Sequence, residues 1–154
     1  MKNILVPIDF SDLSGRVIEL TGDLAQAFGS TVRLLHVAAP DPSIASAKTW
    51  PQEVRDELAK ELVTEHDELE ALAARLKARG IETKTLLARG EVAETVLDYA
   101  ARTGCDLIVL GAHRRGALAE LLPGSVVKSV LRRTTCPVMV LPDAAAGDAP
   151  AAAS

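Results

Sequence analysis

The chain has 154 residues, of which 48% are hydrophobic, 25% charged and only 3% aromatic, a composition that suits one globular domain with an aliphatic core and excludes wholesale disorder. A net charge of −4 gives no electrostatic case for nucleic acid or an anionic membrane as partner, so any bound anion needs a local site. The opening MKNILVP holds too short an apolar run for a signal peptide, and no stretch approaches the roughly 20 apolar residues of a membrane span, which predicts a cytoplasmic protein.

The run NILVPI over 3–8, followed by Asp9, predicts a buried strand and a turn. Ser11-Asp12 then offers a helix N-cap; Val17, Leu20, Leu24 and Phe28 recur at helical spacing, and Gly29 supplies the stop. TVRLLHV over 31–37 is the second strand. From 38 to 51, Pro40, Pro42 and Pro51 without an apolar period predict an ordered loop or flap that carries the only tryptophan, Trp50. An amphipathic helix follows over 52–79, with Val54, Leu58, Leu62, Leu69, Leu72 and Leu76 on one stripe, and Gly80 closes it. A third strand over 82–87, a helix over 91–103 ended by Gly104, and the continuous apolar strand DLIVL over 106–110 come next. A short helix over 125–133 and the strand PVMVL over 137–141 complete a domain of residues 1–143, and the low-complexity tail 144–154 reads as disordered.

Strands alternating with helices imply right-handed crossovers and a three-layer α/β fold, an open parallel five-stranded sheet with helices on both faces. Ligands of such sheets bind beyond the carboxyl ends of the strands, where the strand order reverses. Asp9 follows the first strand there, and Gly111-Ala112-His113-Arg114-Arg115-Gly116 follows the fourth. Gly124, Ser125 and Val126 open the next helix, whose free backbone N–H groups make a phosphate seat; Ser125 serves equally as a plain N-cap. Arg114 and Arg115 either neutralise phosphate or are a solvated pair, and His113 carries the same ambiguity. Ionised Asp9 is acceptor-only, so it either accepts from a base or ribose or bonds the N–H groups of its own turn.

Other devices are missing. Ala117-Leu118 stands where a P-loop needs Lys-Ser/Thr, no GxGxxG follows the first strand, and no GxSxG elbow exists, which argues against an enzyme. Cys105 and Cys136 have no CxxC spacing and read as buried reduced thiols, with a disulfide or metal site the minor reading.

The segments Ile4-Leu5-Val6-Pro7-Ile8-Asp9-Phe10-Ser11, Leu34-Leu35-His36-Val37, Asp106-Leu107-Ile108-Val109-Leu110-Gly111-Ala112-His113, Gly124-Ser125-Val126 and Cys136-Pro137-Val138-Met139-Val140 together resemble the universal stress protein family over about residues 2–142. The resemblance implies a Rossmann-like sheet of the adenine nucleotide alpha hydrolase-like type, with strand order 3-2-1-4-5. It also implies a stress-response or signalling module that binds ATP or AMP with little or no hydrolysis, with Mg²⁺ held, if at all, through the phosphates. The family's nucleotide pattern GxxG, nine residues, Gly-Ser/Thr matches at Gly111 and Gly124-Ser125, while Arg114 stands at the second glycine. By this resemblance Pro7, Asp9 and Val37 meet the adenine end, and Gly111, His113, Arg114, Gly116, Gly124, Ser125 and Val126 lie toward ribose and phosphate. A homodimer through the last strand, 137–141, is implied as well. Arg114, which can crowd a phosphate as easily as pair with it, favours the alternative of a dimeric member that binds no nucleotide and works through protein partners.

Overall fold

The computed structural model describes residues 1–38, 49–113 and 126–143. In chain order the elements are β1 (Asn3–Ile8), α1 (Leu13–Phe28), β2 (Thr31–Ala38), α2 (Gln52–Lys77), β3 (Thr83–Arg89), α3 (Val92–Thr103), β4 (Leu107–Ala112), α4 (Val126–Arg133) and β5 (Val138–Pro142). The strands form one five-stranded sheet in the order β3-β2-β1-β4-β5, and every neighbouring pair is parallel. This is the expected α/β architecture. Most of the predicted flap (residues 39–48) and the predicted tail (144–154) lie outside the described residues. No helix among the described residues is long and apolar enough to cross a membrane.

Alternation along the strands divides the core into two layers. Ile4, Val6, Val32, Leu34, Leu107 and Val109 face α1 and α2, whereas Leu5, Leu35, Ile108 and Leu110 face α3 and α4. Ile4, Leu5 and Val6 have no exposed surface, which explains why β1 reads as a continuous apolar run rather than an alternating one. β5 is half-buried along most of its length, as an edge strand should be, and it runs one residue later than 137–141.

Two helices differ from their predicted apolar stripes. On α1 the buried face is Leu13, Ser14, Val17, Ile18, Thr21, Gly22 and Ala25, while Phe28 is 56% exposed. Small and polar residues occupy this face because α1 lies close to the sheet and to α2, so volume rather than hydrophobicity decides what fits. On α2 only Leu69, Ala73 and Leu76 are buried, and Val54 is 45% exposed. The cause is length: the 26 residues of α2 span roughly 39 Å, against roughly 26 Å for the 8 residues of β2, so its first half runs past the sheet.

Two of the expected helix stops hold, while α2 ends at Lys77, two residues before the expected 79. Gly29 and Gly104 adopt the left-handed conformation and close α1 and α3. Glu91 caps α3 rather than beginning it, its carboxylate accepting from the amides of Ala93 and Glu94.

Candidate functional site

The chain builds outward from β1 to β3 and then returns to place β4 on the other side of β1. The α1 and α3 connections therefore leave opposite faces, and a pocket of about 220 Å³ opens at the carboxyl ends of the strands. Pro7, Ile8 and Asp9 come from β1 and its turn, Leu35, His36 and Val37 from β2, and Leu110 and Gly111 from β4. The first residues of three helices close it: Leu13 and Ser14 of α1, Val92 of α3, and Val126 and Val127 of α4. The walls are mostly aliphatic and the polar groups gather at the β1 turn.

Asp9 is the centre of that turn. Its Oδ1 accepts from the Ser11 amide at 3.0 Å and from the Ser14 hydroxyl at 3.3 Å, and its Oδ2 is 3.1 Å from His113 Nε2. Because a carboxylate only accepts, Nε2 carries the proton of that bond. Partial desolvation would raise the Asp9 carboxyl, but the adjacent Ser11 hydroxyl and amide and the His113 imidazole outweigh it and hold the group below the ordinary carboxylate range. The Ser11 hydroxyl acts by proximity, since among the described residues its buried oxygen meets no partner in hydrogen-bond geometry. The expected N-cap position at Ser11-Asp12 holds, since α1 starts from Asp12. Asp12 makes no side-chain cap, and Asp9 organises the start of α1 instead.

Phe10 carries the strain of this arrangement, with a φ of 57° that a side chain rarely adopts. Its ring packs on His36, centroids 4.4 Å apart. The Ile8 carbonyl can only accept, so His36 Nδ1 donates to it at 2.8 Å and leaves Nε2 facing Glu65 of α2 at 3.7 Å. The second ring nitrogen of His113 lies 3.9 Å from Asp143 Oδ2, and the Asp143 amide donates to the Ala112 carbonyl. Hydrogen bonds thus join the ends of β1, β2, β4 and β5 around the mouth.

Of the residues expected at the site, Pro7, Asp9, Val37, Gly111 and Val126 line the pocket, and His113 sits at its rim on Asp9. Arg114, Gly116, Gly124 and Ser125 lie outside the described residues. Gly111 has a packing reason of its own: a Cβ there would lie 2.9 Å from Leu13 Cδ2. The aliphatic walls contributed by Leu13, Val92 and Val127 were not singled out from the sequence. Each lies at the start of a helix that follows a strand, a position that could have marked them.

The fold and this pocket define a doubly wound α/β protein with its cavity at the topological switch point. The sequence model of the universal stress protein family matches residues 1–142, and the chain belongs to that family. It is 31% identical over 145 residues to universal stress protein YxiE of Bacillus subtilis, a match covering 91% of this chain and 98% of that protein. It is also similar to the solved structure of MJ0577, a universal stress protein of Methanocaldococcus jannaschii, with 28% identity, a TM-score of 0.75, and coverage of 94% of this chain and 97% of that one. A universal stress protein solved in complex with cAMP shares the fold at a TM-score of 0.69 and 21% identity, covering 91% of this chain and 95% of that one.

Proposed function

We propose that the pocket takes the base and part of the sugar of an adenine nucleotide, ATP or AMP, and that the protein is a cytoplasmic stress-response or signalling module with little or no hydrolysis. The observation that carries this reading is the pairing of an aliphatic slot with an ionised acceptor, Asp9, at its mouth. Pro7, Val37 and Val127 suit the faces of a flat ring, and a carboxylate suits an exocyclic amine or ribose hydroxyl. The volume supports a partial fit, since about 220 Å³ falls short of the roughly 300–1,000 Å³ of whole-ligand pockets. The phosphates then extend toward Val126, the first residue of α4, whose first turn carries no acidic residue, and toward Gly124-Ser125, which precede it in sequence. Mg²⁺ would be held through those phosphates; among the described residues no cluster of acidic, cysteine or histidine side chains could hold a metal ion. Dimerisation through the edge strand β5 belongs to the same reading. That a family member of the same fold was solved with cAMP supports an adenylate as the ligand class.

Asp9 also favours a second reading, because both its oxygens already have partners within the chain. On that reading the protein is a dimeric family member that binds no nucleotide and acts through other proteins. Denaturing the purified protein and extracting co-purified adenylate, followed by ATP titration with Trp50 fluorescence, separates the two. Binding that is abolished by Gly124→Val without loss of the folded state supports the nucleotide reading. A folded dimer with no extracted adenylate and no response to ATP or AMP rejects it.

A further inference from the structure

Cys105 and Cys136 stand at the opposite end of the sheet from the pocket, each just before a strand. Those strands, β4 and β5, are parallel neighbours with Ile108 opposite Val138. The expectation of two buried thiols is corrected on one point, since both are half-buried, and both are free. Their sulfurs lie 3.6 Å apart. Cys105 Sγ donates to the Leu107 carbonyl at 3.0 Å and Cys136 Sγ to the Cys105 carbonyl at 3.2 Å.

We infer that Cys105 and Cys136 are a redox-modification site, a dithiol that a hydroperoxide oxidises to an intramolecular disulfide joining the starts of β4 and β5. An S–S bond of about 2.05 Å requires the sulfurs to approach by roughly 1.6 Å, a displacement within reach of side-chain rotation at partly exposed positions. Burial, and then the Cys105 sulfur beside it, push the Cys136 thiol up to about 12, so Cys136 stays protonated and the first attack falls to Cys105. The Cys105 thiolate attacks a peroxide oxygen; the O–O bond breaks, hydroxide leaves and is protonated to water, and Cys105 becomes a sulfenic acid. The Cys136 sulfur then attacks Cys105 Sγ, the S–O bond breaks, and a second water departs with the Cys136 proton. Overall, two thiols and one hydrogen peroxide give one disulfide and two waters. The bond closes the chain from 105 to 136 into a loop containing β4 and α4, whose far ends carry Gly111 and Val126 of the pocket.

The test uses the full chain treated with hydrogen peroxide, alkylated with N-ethylmaleimide and digested with trypsin without reductant. Cleavage after Arg102, Arg114 and Arg133 puts the two cysteines on separate peptides, 103–114 and 134–154. The expected product is a linked pair of these peptides, lighter by two hydrogens than their sum, formed within one chain and lost with dithiothreitol. The oxidised protein should also melt at a higher temperature than the reduced one, and reversibly so. Mixing with isotopically heavy chain before oxidation shows whether the link is within one chain. Mixed heavy–light links, maleimide on both peptides after oxidation, or sulfinic or sulfonic acid without a link would each overturn the inference. The wild-type peptide map decides it without depending on how a cysteine variant folds.

Discussion

Replacing Gly111 with alanine puts a methyl group where α1 lies on the end of β4. Its Cβ would sit 2.9 Å from Leu13 Cδ2, 3.2 Å from Leu13 Cγ and 3.4 Å from Val17 Cγ2. Leu13 and Val17 are 3% and 2% exposed, so the new methyl can displace them only by repacking the wall of the pocket that both line. Overpacking of a buried contact costs about 1–3 kcal/mol. In a chain of this length each kcal/mol moves the melting temperature by roughly 2–4 °C, so a cost near 2 kcal/mol lowers it by roughly 4–8 °C. Thermal and urea denaturation of Gly111→Ala measure this. The same substitution in a Leu13→Ala background isolates the clash: Leu13→Ala alone costs about 2–5 kcal/mol, but it opens the space the new methyl needs. The pair should therefore cost less than the sum of the two single changes. If Gly111→Ala melts with the wild type yet loses adenylate binding, or if the two costs simply add, then the missing side chain serves a ligand rather than the seating of α1.

The depressed Asp9 carboxyl sets an acid limit. Its folded value lies below its ordinary 3.8, so the stability it contributes is complete above that value and is lost as pH falls through the folded value. Asp9→Asn should be less stable than wild type at neutral pH and should lose less of what remains below about pH 4 in urea midpoints measured against pH; parallel profiles would sink this account. A dimer through β5 predicts that sedimentation velocity at micromolar concentration finds twice the mass of one chain, and a monomer alone rules that interface out.

What could be read from the sequence is what repeats along it. β1 and β4 announce themselves because they are covered on both faces and so carry unbroken apolar runs, and Gly29 and Gly104 mark helix ends because a left-handed residue is needed there. The faces of the helices were harder to read. Periodicity on α1 selects Val17, Leu20, Leu24 and Phe28, of which only Val17 is buried, and Leu13, Val17 and Ile18 share the buried face with Ser14, Thr21, Gly22 and Ala25. Hydrophobicity scales rank these last four low, but close approach demands their small volume. On α2 the apolar stripe is real, but nothing in one sequence says that the sheet ends before the helix does.

The site divides in the same way. Topology alone places Asp9 and Gly111 side by side, because strands on either side of an order reversal must share the crevice, and Val126 follows from opening a helix there, whereas Pro7 and Val37 came only from the family resemblance. What topology does not reveal is the reason each residue is kept. Gly111 has the appearance of a backbone cleared for a ligand, yet its neighbours are Leu13 and Val17. Asp9 was open to two readings, a ligand acceptor or the organiser of its own turn, and the carboxylate divides between them. Oδ1 is committed to Ser11 and Ser14, which fixes the start of α1, and Oδ2 points across the mouth to His113. A ligand group approaching Asp9 therefore competes with an exposed imidazole for one oxygen and leaves the turn intact. This is why the same aspartate can hold the fold together and still be available at the pocket.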